Sequence, residues 1–423
     1  MGGSLATGAV AAALLVAAPL GPATESAVTG SVLCGFALGW AMLAVLSTRS
    51  TDRPQRWAFA PALVMGIGGL LLVLFGSPMR LVVSWVWPPV MLGLAIWMTV
   101  RVGRRLRGSR TRWLLYPVIA MLALSSVGAG YQTLGEAAAA QAPVPGRLID
   151  VGDHHLHLHC TGSGSPTVVL EAGGGNMSSD LWRITPAVAS DTRVCVYDRA
   201  GRGWSDPAPS APHGIQIATD LHTLLERGGE SGPYLLAGHS FGGLYAQVFA
   251  ARYPSEVAGM VLIDSTAPSA AAAEHEDRPY LLNRVFALAA APAQLGLGRL
   301  VSVVAADGPP PDGDRQAPAR VITAADVRST IDEYADAGDA AREAASLTDL
   351  GDTPLIVVTA SGHDAASSAA QARMAALSTN SAHRLIAGAS HAGLVAEPDG
   401  AAATARAILD VVASVRDGGS LAQ

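Results

Sequence analysis

The stretch LLAGHSFGGLYAQ, residues 235–247, contains a serine, Ser240, between closely spaced glycines. The preceding PYLL has the composition of a short buried strand, and the following LYAQVFAARYP has that of a helix. A turn this tight between strand and helix requires small neighbours, which explains Gly238 and Gly242, and it presents the serine oxygen above a sheet. The helix points its amino-terminal end at the same place, where it favours developing negative charge. The stretch therefore predicts a nucleophilic serine on an α/β scaffold.

A serine hydroxyl is a weak nucleophile at neutral pH and needs a general base. His391, in GASHAGLV, follows the last predicted strand and fits the chain order serine, acid, histidine. His363 and His383 rank lower, because His363 adjoins a candidate acid and His383 lies inside a strand pattern. We therefore expect His391 to be the base.

Two aspartates are candidates for the acid that orients the histidine. Asp364 follows the strand PLIVV and precedes His391 by 27 residues, which is enough for one helix and the last strand. Asp264 ends the strand GMVLI. We favour Asp364, although it would also serve as the N-cap of a helix over AASSAAQARMAALS. Asp264 remains the alternative acid, and its other interpretation is a polar strand end that orders the next loop.

A developing oxyanion needs two backbone N–H donors. One is expected from Phe241, directly after the serine. The other is expected from Gly174 in EAGGG, because glycine lets the backbone approach a substrate closely. The glycine run lacks the Lys and Ser/Thr that a phosphate-binding P-loop would add.

Short apolar strands alternate with helical stretches from residue 147 onward, which indicates a mostly parallel sheet covered on both faces. Residues 147–265 and 353–423 are assigned to this α/β core. Residues 266–352 are assigned to a helical cap inserted over a cleft, with amphipathic runs at Tyr280–Ala306 and Asp326–Leu347 around the break DGPPPDGDRQAP.

Residues 1–134 are predicted to form transmembrane helices, and residues 135–146 a linker of small residues and proline. Of five apolar stretches, the last four approach the roughly 20 residues that cross a hydrocarbon layer of about 30 Å. The first is the shortest, and a signal peptide is its rival, but no basic residue precedes it. The stretches are about Leu5–Leu20, Val28–Leu46, Ala58–Phe75, Leu81–Val100 and Trp113–Tyr131.

Arginine sets the expected orientation in the membrane, since all 28 basic residues are Arg. The loops STRSTDRPQRW and RVGRRLRGSRTR follow the second and fourth stretches and lie on one face, which the positive-inside rule makes cytoplasmic. The N-terminus is then cytoplasmic, and everything after Tyr131 lies outside the cytoplasm. The same arginines flank hydrophobic spans, so no nucleic-acid partner is expected. The spans carry no charge in their apolar cores, which favours an anchor over a transporter.

Three blocks together make the chain resemble the α/β-hydrolase fold superfamily from about Gly146 to Leu409. They are HLHCTGSGSPTVVLEAGGG, RVCVYDRAGRGWSD and AGHSFGGLYAQVFAARYP. The resemblance implies an eight-stranded sheet with the second strand antiparallel. It also implies Ser240 as nucleophile, His391 as base, and Gly174 and Phe241 as oxyanion donors.

Two departures from the family pattern bear on the site. Ala172 stands where many members carry a histidine before the glycine, which affects the oxyanion detail rather than the mechanism. The setting of Asp364 is one residue shorter than the frequent spacing after that strand, which keeps Asp264 as an alternative. Asp198 and Arg199, in YDRAGRGWSD, are expected to shape a turn near the cleft rather than take part in the chemistry.

Cysteines and histidines outside these motifs receive simpler interpretations. Cys160 and Cys195 lie on strands that neighbour each other in this fold, so a disulfide outside the cytoplasm and two buried thiols both fit. The alternating histidines at positions 155, 157 and 159 share one strand face, and one strand does not easily supply a tetrahedral zinc set. A solvated strand face is expected there, and no metal or other cofactor is implied.

A serine at this turn implies acyl transfer through an acyl-enzyme. The sequence predicts a membrane-anchored serine hydrolase acting on an ester, thioester or amide, with lipid-like or envelope acyl compounds as the hypothetical substrates. An aminopeptidase resembling proline iminopeptidase is one alternative, and it needs an acidic amine-binding group in the cap, such as Glu333 or Asp332. An acyltransferase and a non-catalytic membrane scaffold or receptor are the others. The oligomeric state is not predicted.

Overall fold

The structure is a computed structural model of the 423-residue chain. It describes residues 2–18, 24–50, 54–107, 112–141, 143–209, 213–269, 280–296 and 322–421. These residues form two compact units. The first contains residues 2–141 with 280–296 and 322–328, and the second contains residues 143–269 and 329–421. The predicted break DGPPPDGDRQAP lies outside the described residues.

The first unit is helical. Its long helices are α1 (Gly2–Ala17), α2 (Glu25–Ser50), α3 (Phe59–Arg105) and α4 (Arg112–Ala140). Helix α3 turns back on itself at Gly76, where φ is +57° and the backbone is not helical. It therefore supplies two apolar segments, so that four candidate spans result: Glu25–Ser50, Arg56–Gly76, Met79–Arg105 and Arg112–Ala138.

Four helices in the described part of the chain are long and apolar enough to cross a membrane, one fewer than predicted. The predicted span Leu5–Leu20 corresponds to α1, whose 16 residues extend only about 24 Å at 1.5 Å per residue. A hydrocarbon layer is about 30 Å thick. The prediction of a fifth full span is therefore corrected: α1 is an apolar helix too short to cross by itself.

Helix α1 packs closely against α2 through small residues. A Cβ atom added at Gly35 or Gly39 of α2 would overlap the backbone at Ala12 or Gly8 of α1. Small residues let apolar helices approach and gain van der Waals contact where lipid removes the hydrophobic driving force. Because the contacts advance in opposite directions along the two helices, the pair is antiparallel.

The second unit contains an eight-stranded sheet in the order β1-β2-β4-β3-β5-β6-β7-β8. Strand β2 is antiparallel to both β1 and β4, and the other neighbouring strands are parallel. This is the sheet that the family resemblance implied. The strands are β1 (Arg147–Asp150), β2 (His155–Thr161), β3 (Val168–Glu171), β4 (Val194–Asp198), β5 (Tyr234–His239), β6 (Val257–Ile263), β7 (Leu355–Ala360) and β8 (Ser381–Ile386).

Apolar helices cover both faces of this sheet, which is why its central strands are apolar on both sides. Consecutive residues on β5 point to opposite faces: Leu236 joins one buried cluster and Leu235 the other, and neither is exposed. The covering helices and the remaining short helix are α5 (Thr185–Ala189), α6 (Gly214–Gly228), α7 (Phe241–Arg252), α10 (Ala337–Ala344), α11 (Ala365–Ala375), α12 (Gly393–Ala396) and α13 (Pro398–Asp417).

The predicted cap insertion, residues 266–352, is divided between the two units. Its first amphipathic run forms α8 (Tyr280–Ala290), which belongs to the helical unit and packs on α1 and α2 there. The end of that predicted run, residues 297–306, lies outside the described residues. The buried face of α8 consists of two alanines and one charged residue: Ala287, which packs against Val16 and Val28, Ala290, and Arg284, which donates a hydrogen bond to Ser31 Oγ at 3.0 Å. Its second run forms α9 (Ala324–Ala335) and α10, and α10 packs on α6 and α7.

The predicted linker, residues 135–146, is shorter than expected. Helix α4 continues to Ala140, because the run of alanines after Gly135 has high helix propensity. The non-helical connection begins at Gln141 and leads through Pro143 to β1 at Arg147.

Candidate active site

Ser240 lies in the turn between β5 and α7, with φ of 54° and ψ of −120°. This region is costly for any residue with a Cβ. A Cβ at Gly238 would overlap the backbone of Gly242, and one at Gly242 would overlap the carbonyl of Glu171. The sequence interpretation of the two glycines is therefore physically correct. The Ser240 amide donates to the carbonyl of Ile263 at 3.0 Å, so the neighbouring strand β6 holds the turn.

Asp264 directly follows β6, and its carboxylate lies next to two histidines. Its Oδ2 is 2.6 Å from Nδ1 of His391, and its Oδ1 is 2.7 Å from Nε2 of His363. The Ala360 amide also donates to Oδ1 at 3.1 Å. Burial alone would raise the pKa of Asp264, but the hydrogen bonds from His391, Ala360 and His363 outweigh it and lower the pKa to about 2. Asp264 is therefore a carboxylate at any working pH.

Asp364, the favoured acid in the sequence, has a different position, and this expectation is corrected. Its carboxylate accepts a hydrogen bond from the Ser367 amide at 2.7 Å and caps α11. This bond to the helix end lowers the pKa of Asp364. The N-cap interpretation therefore describes Asp364, and the alternative residue, Asp264, is the one that contacts His391.

His391 lies in the loop between β8 and α12, and its side chain is half exposed. The Ser361 amide donates to the carbonyl of Ala389 at 3.0 Å, which ties this loop to the end of β7. His239, the residue before Ser240, has its ring 4.6 Å from the His391 ring and its Nε2 3.0 Å from the His391 carbonyl. Burial and the nearby His391 lower the pKa of His239 to about 4, so neutral His239 donates this hydrogen bond.

The two predicted oxyanion donors flank Ser240. Phe241 is the first residue of α7, where an amide has no acceptor within the helix. Within the described ranges, the amides of Phe241 and Gly174 have no protein acceptor. A Cβ at Gly173 would come within 3.4 Å of the Ser240 Cβ, and one at Gly174 within 2.7 Å of the Phe241 ring. Glycine at both positions lets this loop, residues 172–175, approach the serine.

A buried ionic cluster that the sequence reasoning missed lies beneath the loop 172–175. Arg199 donates from Nη1 to the Ala172 carbonyl at 2.7 Å and from Nη2 to the Gly173 carbonyl at 2.8 Å. Its Nε donates to Glu333 at 2.7 Å, and Arg202 donates to the same carboxylate at 2.7 Å. The sequence analysis expected Arg199 only to shape a turn. The signal in the sequence that could have identified its role is a charged residue directly after the apolar strand β4.

The carboxylates in this cluster have opposite pKa shifts. Burial raises the pKa of Glu171 to about 7, although Arg199 and Tyr197 oppose the shift. Burial would raise the pKa of Glu333 as well, but the charges of Arg199 and Arg202 outweigh it and lower the pKa. Glu333 is thus ionised and fully engaged by two guanidinium groups. It is not an unpaired carboxylate of the kind that an amine-binding site needs.

The remaining sequence candidates lie on β2 and β4. Cys160 and Cys195 are directly opposite each other and joined by a disulfide, with Cα atoms 4.0 Å apart. The expected solvated histidine face is only partly solvated: His157 is buried and pairs with Asp198 at 2.9 Å, while His155 is exposed. The correction follows from Trp204, whose ring lies 4.6 Å from that of His157 and covers it.

The sheet order and the strand-to-helix turn define an α/β hydrolase, and comparison with known proteins agrees. The chain matches the family described as the alpha/beta hydrolase fold over residues 166–398, more than half of its length. This chain belongs to that family. Among solved structures, a putative lipase from Acinetobacter baumannii AYE covers 68% of this chain and 97% of its own with a TM-score of 0.50, and at 19% identity it shows the fold alone.

Curated relatives match shorter segments. A Schizosaccharomyces pombe protein of uncharacterised function is 40% identical over 152 residues, covering 29% of this chain and 28% of that protein. A proline iminopeptidase from Clostridium botulinum is 33% identical over 28% of this chain and 41% of its own length. A vacuolar membrane protein of Saccharomyces cerevisiae is 31% identical over 24% of this chain and 16% of its own. The chain spans less than half the length of these relatives.

Proposed function

We propose that this chain is a serine hydrolase that cleaves an acyl bond, an ester in the first instance, with Ser240, His391 and Asp264 as its catalytic residues. The observation that carries the proposal is the 2.6 Å contact between Asp264 Oδ2 and His391 Nδ1, next to a serine held at positive φ. A buried carboxylate on Nδ1 selects the imidazole tautomer whose Nε2 is free to accept a proton. Family membership supports the same chemistry.

The reaction follows from these groups. His391 Nε2 takes the proton of Ser240 Oγ as the oxygen attacks the substrate carbonyl, and Asp264 stabilises the imidazolium that forms. The carbonyl oxygen becomes an oxyanion, to which the amides of Gly174 and Phe241 donate. His391 then protonates the leaving group, an acyl-enzyme remains on Ser240, and water activated by His391 releases the acid.

We further propose that the helical unit anchors the enzyme in a membrane. Four apolar helices and the similarity to a vacuolar membrane protein support this. The Arg-rich loops follow α2 and the second segment of α3, so by the positive-inside rule both lie in the cytoplasm and the hydrolase unit lies outside. The orientation of the hydrolase unit is the same with four spans as with five, because it depends on the two Arg-rich loops and on α4, the span that follows the second loop, and not on α1. Lipid-like or envelope acyl compounds are the proposed substrates, since an anchor concentrates the enzyme near them.

One relative is a proline iminopeptidase, so an aminopeptidase is the rival to consider. That activity needs an acidic group for the substrate amine. Glu333, one of the two sequence candidates for this role beside Asp332, accepts hydrogen bonds from Arg199, Arg202 and the Gly175 amide. Because the Glu333 carboxylate is already paired with two guanidinium groups, its geometry favours an esterase over an aminopeptidase that would use Glu333 to bind the substrate amine.

Labelling by a fluorophosphonate, which reacts with an activated serine, tests the proposal. Intact cells and lysates carrying the wild type, Ser240→Ala or the control Ser265→Ala are treated with a membrane-impermeant probe. We expect labelling of the wild type and Ser265→Ala on intact cells, and none of Ser240→Ala. Labelling that survives Ser240→Ala would refute the nucleophile, and labelling only after lysis would refute the orientation. A second assay compares p-nitrophenyl esters with aminoacyl arylamides, and faster turnover of the arylamides would favour the aminopeptidase.

A further inference from the structure

The loop 172–175, which carries one of the two oxyanion donors, is held by charged side chains through its peptide groups. Arg199 donates to two successive carbonyls, those of Ala172 and Gly173, at 2.7 and 2.8 Å. Glu333 accepts the Gly175 amide at 2.9 Å. The peptide groups on both sides of Gly174 are therefore fixed by one guanidinium and one carboxylate, which also bind each other at 2.7 Å.

The geometry of the peptide bond gives this contact a consequence. The Gly173 carbonyl and the Gly174 amide belong to one planar trans peptide group, so their C=O and N–H bonds point in opposite directions. A donor that fixes the direction of the carbonyl also fixes the direction of the amide. Because glycine has no steric preference for one peptide orientation, the loop itself does not supply this constraint.

The charge adds a second effect. A hydrogen bond from a cation to a carbonyl polarises the peptide group, and hydrogen bonds in series strengthen each other in a low-dielectric interior. Arg199 and Glu333 are both buried, with 4% of each side chain exposed. The ring of Tyr245 lies 5.1 Å from the guanidinium carbon and shields it further. The Gly174 amide is thereby a better donor to an oxyanion than an isolated glycine amide.

We propose that Arg199, held by Glu333, is a positioning residue that orients and polarises the Gly174 amide for oxyanion stabilisation. The inference rests on the proposed serine-hydrolase function. Arg199 does not contact the substrate in this proposal, and its effect is exerted through the peptide group of residues 173 and 174. Lysine does not replace it, since one ammonium does not match two carbonyls and a carboxylate in the planar arrangement of a guanidinium.

The prediction concerns transition-state binding. Loss of one oxyanion donor lowers kcat by about 10²- to 10³-fold. A donor that is misdirected rather than removed should cost less, so we expect kcat to fall about 10- to 100-fold in Arg199→Met and Arg199→Lys, with KM changed less than about threefold. Binding of a trifluoromethyl ketone, whose adduct with the serine is an oxyanion, should weaken by the same factor. Binding of the matching secondary alcohol, which forms no oxyanion, should be unchanged.

The experiment uses the full-length chain in lipid nanodiscs, with wild type, Arg199→Met, Arg199→Lys and a control, Arg193→Met. Arg193 lies on the same segment and makes a comparable paired contact with Glu230, but it does not touch the loop. A parallel drop in kcat and ketone affinity in both Arg199 variants, absent in Arg193→Met, supports the inference. Wild-type kcat and ketone affinity in either folded Arg199 variant would overturn it, as would equal weakening of ketone and alcohol. If Arg199→Met does not fold, the kcat and ketone affinity of Arg199→Lys decide the question.

The inference and the proposed function fail in different ways. If the wild type is not labelled by the fluorophosphonate, the proposed function fails and the inference fails with it. If the wild type is labelled and Ser240→Ala is not, while Arg199→Lys turns over at the wild-type rate, the inference alone fails.

Discussion

The choice between Asp264 and Asp364 can be tested by giving both the same substitution. Asp264→Asn keeps the size of the side chain but removes the charge that faces His391 Nδ1 at 2.6 Å. A carboxylate and an imidazolium about 4 Å apart attract by about 4 kcal/mol at an effective dielectric constant of about 20. At about 1.36 kcal/mol per tenfold, that is a loss of about 10³-fold in kcat. An amide N–H directed at Nδ1 would also select the wrong tautomer, which brings the expected loss to about 10³- to 10⁴-fold.

Asp364→Asn is the matched control, because Asn caps a helix about as well as Asp. It should leave kcat within about twofold, since the Asp364 carboxylate contacts the Ser367 amide and its side chain is exposed. The assay measures kcat and KM on a p-nitrophenyl ester, with thermal unfolding to show that both variants fold. Full activity in Asp264→Asn, or a loss of about 10³-fold in Asp364→Asn, would refute the assignment of the acid.

Further predictions follow from the same geometry. His363→Ala removes one hydrogen bond to Asp264 but leaves that to His391, so kcat should fall less than about tenfold; a loss as large as that of Asp264→Asn would contradict this. Gly242→Ala forces a Cβ onto the Glu171 carbonyl, so the thermal midpoint should fall by several degrees, measured by circular dichroism against wild type. In the folded protein the pKa of Glu171 is raised from 4.5 to about 7. Glu171 therefore contributes fully to the free energy of unfolding below pH 4.5, and this contribution is lost as the pH rises through 7. The thermal midpoint of Glu171→Gln should lack this decline, and a pH profile identical to that of the wild type would argue against the pKa shift. Ser240→Gly should raise the midpoint by relieving a strain of about 1–3 kcal/mol while abolishing activity, whereas no gain over Ser240→Ala would exclude strain.

Some features of the site were predictable because they depend on neighbours in the chain. The turn around Ser240 needs glycine two residues away on each side, so its steric requirement is written locally. The sheet was predictable for the same reason, since runs such as PTVVL are apolar at consecutive positions and suit a strand buried on both faces.

The proposed acid was not predictable, because Asp264 and Asp364 both follow parallel strands and both precede His391. Chain order is satisfied by either one, and only the direction of each side chain separates them. One local signal favoured Asp264: Asp364 stands directly before the helical run AASSAAQARMA, where an aspartate is a preferred N-cap residue. The position of α8 was also beyond sequence reasoning, because an amphipathic helix with leucines on one face and Arg284, Ala287 and Ala290 on the other suits a cap and a helical bundle equally.

Backbone strain gives an independent argument for Asp264. Within the described residues, the non-glycine residues at positive φ are Ser240, at 54°, and Asp264, at 45°. Strained conformations persist only where the surrounding structure determines them, and they gather at functional sites. Here the Ser240 amide bonds to the Ile263 carbonyl, and the Asp264 amide bonds to the Val358 carbonyl at 2.7 Å. The same hydrogen bonds that continue the sheet therefore hold both residues at the ends of adjacent strands. The fold thus fixes the proposed nucleophile and the proposed acid together, whereas Asp364, at φ of −71°, carries no such strain.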